Sequence, residues 1–240
     1  MAEAPRYNRW LFDRCAPYLG RRVLDAGAGI GTFSELAAPG REVVALEPDP
    51  ELVSVLRSRF RGRRDVTVVA GTAEDVSGRF DSVVCLNVLE HISDDAGALA
   101  HFFDVLVPGG RLLLLVPAHP SLYGAIDRAV AHERRYDKRG LRELLERMGF
   151  VAETLRLVNP LGALGWLWSS RICKSEQVPE GPLRLYDRLV PLLRLLDRVE
   201  LPVGLSIWAV ARRRPAEHAQ EERAEDTLDG ERDERQAEQP

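Results

Sequence analysis

Short runs of Val, Leu, Ile and Ala alternate along this chain with longer stretches whose apolar residues recur every three or four positions. The short runs fall at Arg22–Ala26, Glu42–Glu47, Val66–Ala70, Asp81–Asn87 and Arg111–Pro117, and each has the length of a strand. Between them, Gly31–Ala38, Pro50–Arg61 and Asp94–Leu106 carry helical spacing. Strands that are apolar at nearly every position are buried on both faces, as in a parallel sheet. Their alternation with helices predicts right-handed βαβ crossovers. Farther along, "KRGLRELLERMGF" reads as an amphipathic helix closed by Gly149, followed by a strand near Val151–Leu157. After Gly204, "LSIWAVARR" makes a last strand. The pattern therefore predicts an α/β fold built on a doubly wound, seven-stranded, mostly parallel sheet.

The remaining segments sort around this core. Residues 1–20 contain "YNRWLFDRCAPYL", a helix that packs on the sheet or caps it. Residues 21–214 form the main domain, with a polar segment at 118–138 and a leucine-rich helical insertion at 160–202. From 215 to 240, ten acidic residues and three arginines give −7 and leave +3 on the body, against a net charge of −4. That tail has almost nothing with which to build a core and is expected to be disordered. The body's small positive balance does not argue for nucleic acid. Cys15, Cys85 and Cys173 are scattered and form no CxxC pair, so no disulfide framework or zinc site is expected. No secretory signal or spanning apolar run is read, and a cytoplasmic location is the default expectation.

The chemistry begins at "VLDAGAGIGTFSEL", Val23 to Leu36, where Gly27, Gly29 and Gly31 leave a buried strand and open a helix. In doubly wound sheets, ligands sit at the carboxyl ends of the strands beside this first turn. The spacing is G-x-G-x-G behind Asp25, not the G-x-G-x-x-G of dinucleotide sites, and no phosphate-binding G-x-x-x-x-G-K-[ST] is present. An aspartate here suits a cationic group better than a pyrophosphate. Glu47, at the tip of the second strand, is placed to accept hydrogen bonds from ribose hydroxyls. The ligand implied has a ribose, no obligatory phosphate and a positive charge.

Five ordered segments, "VLDAGAGIG", "VVALEPD", "GTAEDV", "FDSVVCLNVLEHI" and "LVPGGRLLLLVP", resemble the class I S-adenosylmethionine-dependent methyltransferases. The likeness covers about Val23 to Phe150 and fits a bacterial small-molecule branch. It implies a Rossmann-like methyltransferase fold with an antiparallel last strand. It also implies S-adenosylmethionine as cofactor, with Asp25, Gly27, Gly29 and Gly31 around its methionyl part and Glu47 on the ribose. Thr72, Ala73 and Glu74 would frame the adenine, although Thr72 stands where many relatives have Asp. Asn87 would face the methionyl group, and Pro108–Gly110 would be a structural turn.

Candidate catalytic residues are histidines. His91, in "NVLEHI", follows the fourth strand near the expected methyl position, where it is either a base or a loop-bonding group shaping the pocket floor. The segment "AHPSLYGAIDRAVAHERRYDKRG" resembles a substrate lid, with His132 as a second candidate base. His119, Tyr123, Arg134, Arg135 and Tyr136 are its candidate substrate contacts, the two arginines being suited to a carboxylate or phosphate. Some relatives hold a divalent metal with E-x-x-E-H. Here Asn87 replaces the first glutamate, so no metal is expected, with Glu90, His91 and His119 as the fallback set. Trp166 and Trp168 in the insertion are core or lid packing, or else line a channel for a hydrophobic or lipid-linked acceptor; membrane contact there stays open. The leading reading is methyl transfer to oxygen or nitrogen of a small molecule. A nicotinamide-dependent oxidoreductase and a non-catalytic cofactor-binding module are the alternatives.

Removing residues 215–240 is expected to leave the melting temperature unchanged, because so polar a stretch has little to pack. Differential scanning calorimetry of the truncated and full chains checks this. A drop of more than a few degrees would show that the tail docks.

Overall fold

A computed structural model describes residues 4–160, 187–191, 194 and 202–214. Its strands are β1 (Arg22–Ala26), β2 (Glu42–Glu47), β3 (Val66–Ala70), β4 (Phe80–Leu86), β5 (Leu106–Pro117), β6 (Phe150–Val158) and β7 (Ser206–Arg213). They form one sheet in the order β3-β2-β1-β4-β5-β7-β6. The first five run parallel, and β7 lies antiparallel between β5 and β6. The helices are α1 (Pro5–Cys15), α2 (Thr32–Ala37), α3 (Pro50–Arg59), α4 (Asp95–Val105), α5 (Ala125–Ala129) and α6 (Lys138–Arg147). The topology reverses between β1 and β4, so the loops leaving those strands meet at one crevice.

Strand periodicity separates two apolar layers. Leu24, Val83, Cys85, Leu112, Leu114 and Ile207 face one side with Leu99 and Phe102 of α4. Val23, Val84, Leu113, Leu115, Trp208 and Val210 face the other, with Tyr7, Trp10, Leu11 and Phe12 of α1. Successive strand residues thus enter opposite layers, and both are covered. Helix α1 closes the second layer, and its first turn is tied down where Tyr7 donates its amide to Asp187 Oδ1 at 3.0 Å.

Helix starts follow capping chemistry. Asp49 accepts from the amides of Glu51 (2.7 Å) and Leu52 (3.3 Å), with Pro50 at the first helical position. Asp94 and Asp137 each accept an amide three residues on, at 2.8 Å. Two boundaries differ from expectation. Helix α3 stops at Arg59 rather than Arg61, ahead of the left-handed Gly62. Strand β5 begins at Leu106, because Leu106 pairs with Phe80 before the register shifts to Ser82–Arg111. The turn predicted at Pro108–Gly110 is therefore a bulge within the strand rather than a lead-in to it. Of the insertion at 160–202, residues 187–191 are helical; Trp166 and Trp168 lie outside the described residues, as does the tail at 215–240.

Leu113 is fully buried in the layer shared with α1. Leu113→Ala is expected to cost about 2–5 kcal/mol through lost burial and a residual cavity. Urea denaturation measures it as a fall in midpoint with little change in slope.

Candidate active site

The loop between β1 and α2 turns through three left-handed glycines, with φ of 74° at Gly27, 57° at Gly29 and 82° at Gly31. A Cβ at Gly27 would lie 2.3 Å from Val88, and one at Gly31 would lie 2.5 Å from Phe60. At Gly29 it would meet nothing within 4 Å. Gly27 and Gly31 are thus demanded by packing as well as conformation, whereas Gly29 opens onto empty space. The loop is pinned to β2, since the amides of Gly27 and Ala28 both donate to the Leu46 carbonyl at 2.9 Å.

Glu47 completes the junction. Its Oε2 accepts from the Gly29 amide at 2.7 Å, and its Oε1 accepts from the Asp49 amide at 3.1 Å. Each carboxylate oxygen keeps a further lone pair for a hydroxyl donor. Beneath the loop, Asp25 is 4% exposed and accepts from the Ser34 hydroxyl at 2.5 Å. Burial pushes its carboxyl up to about 6, opposed by the Ser34 hydrogen bond and reinforced by the nearby Glu47 charge.

Two clefts flank the loop and share Gly27. The larger, about 340 Å³, is walled by Leu46, Pro48, Ala73, Ile92 and Phe102, with Thr72, Glu74 and His91 at its edges. The smaller, about 190 Å³, presents Asp25, Gly29, Asn8 and Asn87. Asn87 leaves β4 at φ 53°, held by its amide on the Leu115 carbonyl at 2.8 Å. Thr72 does not offer its hydroxyl proton to the cleft: it donates to Glu74 Oε2 at 2.6 Å. An apolar slot, a polar slot and a hydroxyl acceptor at the loop between them match an adenine, an amino acid and a ribose. The residues present fit S-adenosylmethionine.

The histidines assemble from two elements. His91 ends the turn after β4, and His132 follows α5; their rings stand edge to face with centroids 4.8 Å apart. His91 Nδ1 lies 3.1 Å from the Ala131 carbonyl, and His132 Nδ1 lies 3.0 Å from Asp127 Oδ1. Glu90 is completely buried beside them, with Oε1 3.8 Å from His132 Nε2 and neither oxygen hydrogen-bonded among the described residues. Burial pushes its carboxyl up to about 8. Among the described residues, Glu90, His91 and His132 form a group with metal-ligand spacing, their ligand atoms lying within 4.8 Å of one another. The fallback set had His119 in place of His132. His119 instead sits with Nε2 3.0 Å from the Gly204 carbonyl.

The other lid residues hold the lid itself. Arg135 is buried, its Nε 2.8 Å from Asp127 Oδ1 and its Nη1 on the Ala118 carbonyl. Arg134 pairs with Asp95 at 2.9 Å and Glu133 at 2.8 Å. Tyr136 is a core residue that donates to Asp95 Oδ2 at 2.8 Å, and Tyr123 donates to the His132 carbonyl at 2.8 Å. Both guanidiniums proposed to grip an anionic substrate thus have carboxylate partners within the protein. The sequence reading gave Asp127, a member of the polar lid cluster, no role of its own, and did not include Ile92 or Phe102. Asp127 five residues before a histidine is a weak signal, and the two apolar residues read only as helix and turn packing.

The sheet order, the glycine loop and the acid at the tip of β2 are those of the class I S-adenosylmethionine-dependent methyltransferases. The chain belongs to the methyltransferase-domain family, whose model matches residues 2–155. It is 39% identical over 101 residues to a ubiquinone biosynthesis O-methyltransferase of Xanthomonas axonopodis pv. citri, covering 40% of this chain and 42% of that protein. It is 34% identical over 125 residues to a demethylmenaquinone methyltransferase of Renibacterium salmoninarum, covering 50% and 52%. The match therefore spans about half the length of these curated relatives, or less. In fold it is similar to phosphoethanolamine N-methyltransferase 2 of Haemonchus contortus in complex with S-adenosyl-L-methionine, with a TM-score of 0.60 and 20% identity over 87% of this chain and 52% of that one. Among the described residues, no helix is long and apolar enough to cross a membrane.

Asp25 generates a stability prediction. Its folded-state pKa, about 6, lies above the ordinary 3.8, so the folded protein binds this proton more tightly than the unfolded chain. Stability from this group is full below about pH 4 and falls as pH rises through about 6. The interval corresponds to roughly 3 kcal/mol. Asp25→Asn is expected to stabilise the ligand-free protein at pH 7.5 by up to that amount, and hardly at all near pH 4. Thermal denaturation of both proteins across pH 4–8 checks it.

Proposed function

We propose that this protein transfers a methyl group from S-adenosylmethionine to an oxygen or nitrogen of a small, largely apolar molecule, without a divalent metal. The observation that carries the reading is the pairing of two clefts across the Gly27–Gly31 loop, with Glu47 bonded to Gly29 at their junction. Bound there, the cofactor supplies an electrophilic methyl group on a sulfonium. Glu47 would accept the ribose hydroxyls, while Leu46, Ala73, Ile92 and Phe102 would exclude water around the adenine. Asp25 would balance the positive charge, and Asn87 and the loop backbone would orient the methionyl end. Transfer is an in-line displacement, so much of the acceleration comes from such alignment.

The acceptor reading rests on the lid and on relatives. Arg134 and Arg135 are already paired with carboxylates, which leaves the lid poorly suited to an anionic acceptor. The names of the curated relatives refer to quinone biosynthesis, and a quinone precursor has the required apolar ring. The metal-free reading rests on Asn87, which stands where metal-holding relatives of the E-x-x-E-H type carry a carboxylate. The family match sets aside the nicotinamide-dependent reading. A non-catalytic module is separated by product formation.

Two measurements test the proposal. Isothermal titration should show S-adenosylmethionine binding that Gly29→Val abolishes in a folded protein, since the open space at Gly29 is where the ligand would lie. Glu47→Gln should weaken binding by about 1.5–3 kcal/mol, the range for hydrogen bonds to a charged group. Mass spectrometry of a bacterial extract incubated with enzyme and cofactor should reveal a product heavier by one CH₂. Binding of cofactor with no such product would favour the non-catalytic module.

A further inference from the structure

We propose that Asp187 is a positioning residue for the cofactor: it caps α1 from 180 positions away and so holds Asn8 at the polar cleft, where the Asn8 amide donates to the carboxylate of the methionyl end. This rests on the methyltransferase reading above. The need for Asn8 arises in the glycine loop. The amides of Gly27 and Ala28 go to the Leu46 carbonyl, that of Gly29 goes to Glu47, and that of Gly31 goes to the Ala28 carbonyl. A carboxylate lying against the loop finds these four donors already engaged. Side chains must supply the rest, and the donors that line the smaller cleft are Asn8, Thr32 and Asn87. Asp25 lines the same cleft and is the acid for the ammonium, so the carboxylate is the group left to Asn8.

Helix α1 carries Asn8 but begins without a cap of its own. Ala4 at the N-cap position offers no side-chain oxygen, and Pro5 has no N–H. The amides of a first turn need acceptors from outside the helix. Asp187 Oδ1 takes that of Tyr7 at 3.0 Å, and its carboxylate meets the positive end of the helix dipole. Tyr7 and Asn8 are consecutive, so this bond fixes the turn from which Asn8 reaches the cleft.

The neighbouring contacts decide less. Arg194 pairs with Asp13 at 2.6 Å, but the two side chains are 43% and 41% exposed, and such pairs contribute little. Val190 is buried in the same apolar layer as Tyr7, Trp10 and Leu11, and apolar burial is non-directional. It presses α1 onto the sheet without setting its rotation. Asp187, only 9% exposed, makes the directional contact. The device acts on one end of the cofactor. Among the described residues, α1 contributes no wall to the larger cleft, where the adenine would lie. A ligand without the amino-acid end should therefore be indifferent to Asn8 and Asp187.

The test is isothermal titration of the full chain with S-adenosylmethionine and with 5′-methylthioadenosine, which keeps adenine, ribose and thioether but lacks the amino-acid end. The wild type should bind both. Asn8→Ala should weaken S-adenosylmethionine binding about 10- to 100-fold, the scale of a hydrogen bond to a charged group, and leave 5′-methylthioadenosine within about twofold. Asp187→Ala should show the same selectivity with a loss of about 3- to 10-fold, the scale of a missing cap. Added to Asn8→Ala, it should cost little more, because the two residues act through one contact. Asp187→Asn keeps an oxygen acceptor and should stay within about twofold of the wild type. Unchanged S-adenosylmethionine affinity in either Ala variant, or equal losses for both ligands, would overturn the proposal. If Asp187→Ala does not fold, hydrogen exchange in the wild type decides. S-adenosylmethionine should slow exchange of the Tyr7 and Asn8 amides more than 5′-methylthioadenosine does, and equal protection by the two overturns the proposal. A wild type that binds neither ligand would mark failure of the methyltransferase reading itself, and the proposal would fall with it.

Discussion

The hydrogen bond from the Gly29 amide to the Glu47 carboxylate joins the parts on which this site depends. A loop with three successive left-handed glycines has no regular ladder of its own and must find external partners for its amides. Two of them go to the Leu46 carbonyl, and the third goes to a nearly buried carboxylate on the same strand. The bond serves both ends. It fixes the height of the loop above β2, and it satisfies a charge that would otherwise be costly to bury. The clefts on either side exist because the loop is held at that height.

Ion pairs hold the lid in place: Asp127 with Arg135 ties it to itself, and Asp95 with Arg134 ties it to α4. Asp25 and Glu90 differ: among the described residues neither is hydrogen-bonded to a lysine or arginine, and burial pushes both carboxyls upward. One sits in the polar cleft and the other beside the histidines. Perturbed acids gathered at one crevice are what a functional site produces when it tolerates a cost in folding.

Much of this was legible in the chain itself. Apolar runs of strand length, separated by helical spacing, determined a doubly wound sheet, because a strand buried on both faces cannot carry polar alternation. Gly27, Gly29, Gly31 and Glu47 were readable because local geometry restricts the residue types that fit there: left-handed backbone wants glycine, and a strand tip beside the first crossover is where an acid meets a ligand. Helical spacing located the helices after Asp49, Asp94 and Asp137, and the capping bonds of these aspartates are seen in the structure.

Partners distant in sequence were decided by the tertiary structure alone. His91 and His132 are 41 positions apart, and only the docking of the lid over the turn after β4 sets their rings edge to face. The same docking placed His132, not His119, beside Glu90, and it set Arg135 against Asp127. A linear pattern reports what each residue's own backbone requires. Which lone pair faces which proton depends on how separate elements pack, and no local preference encodes it.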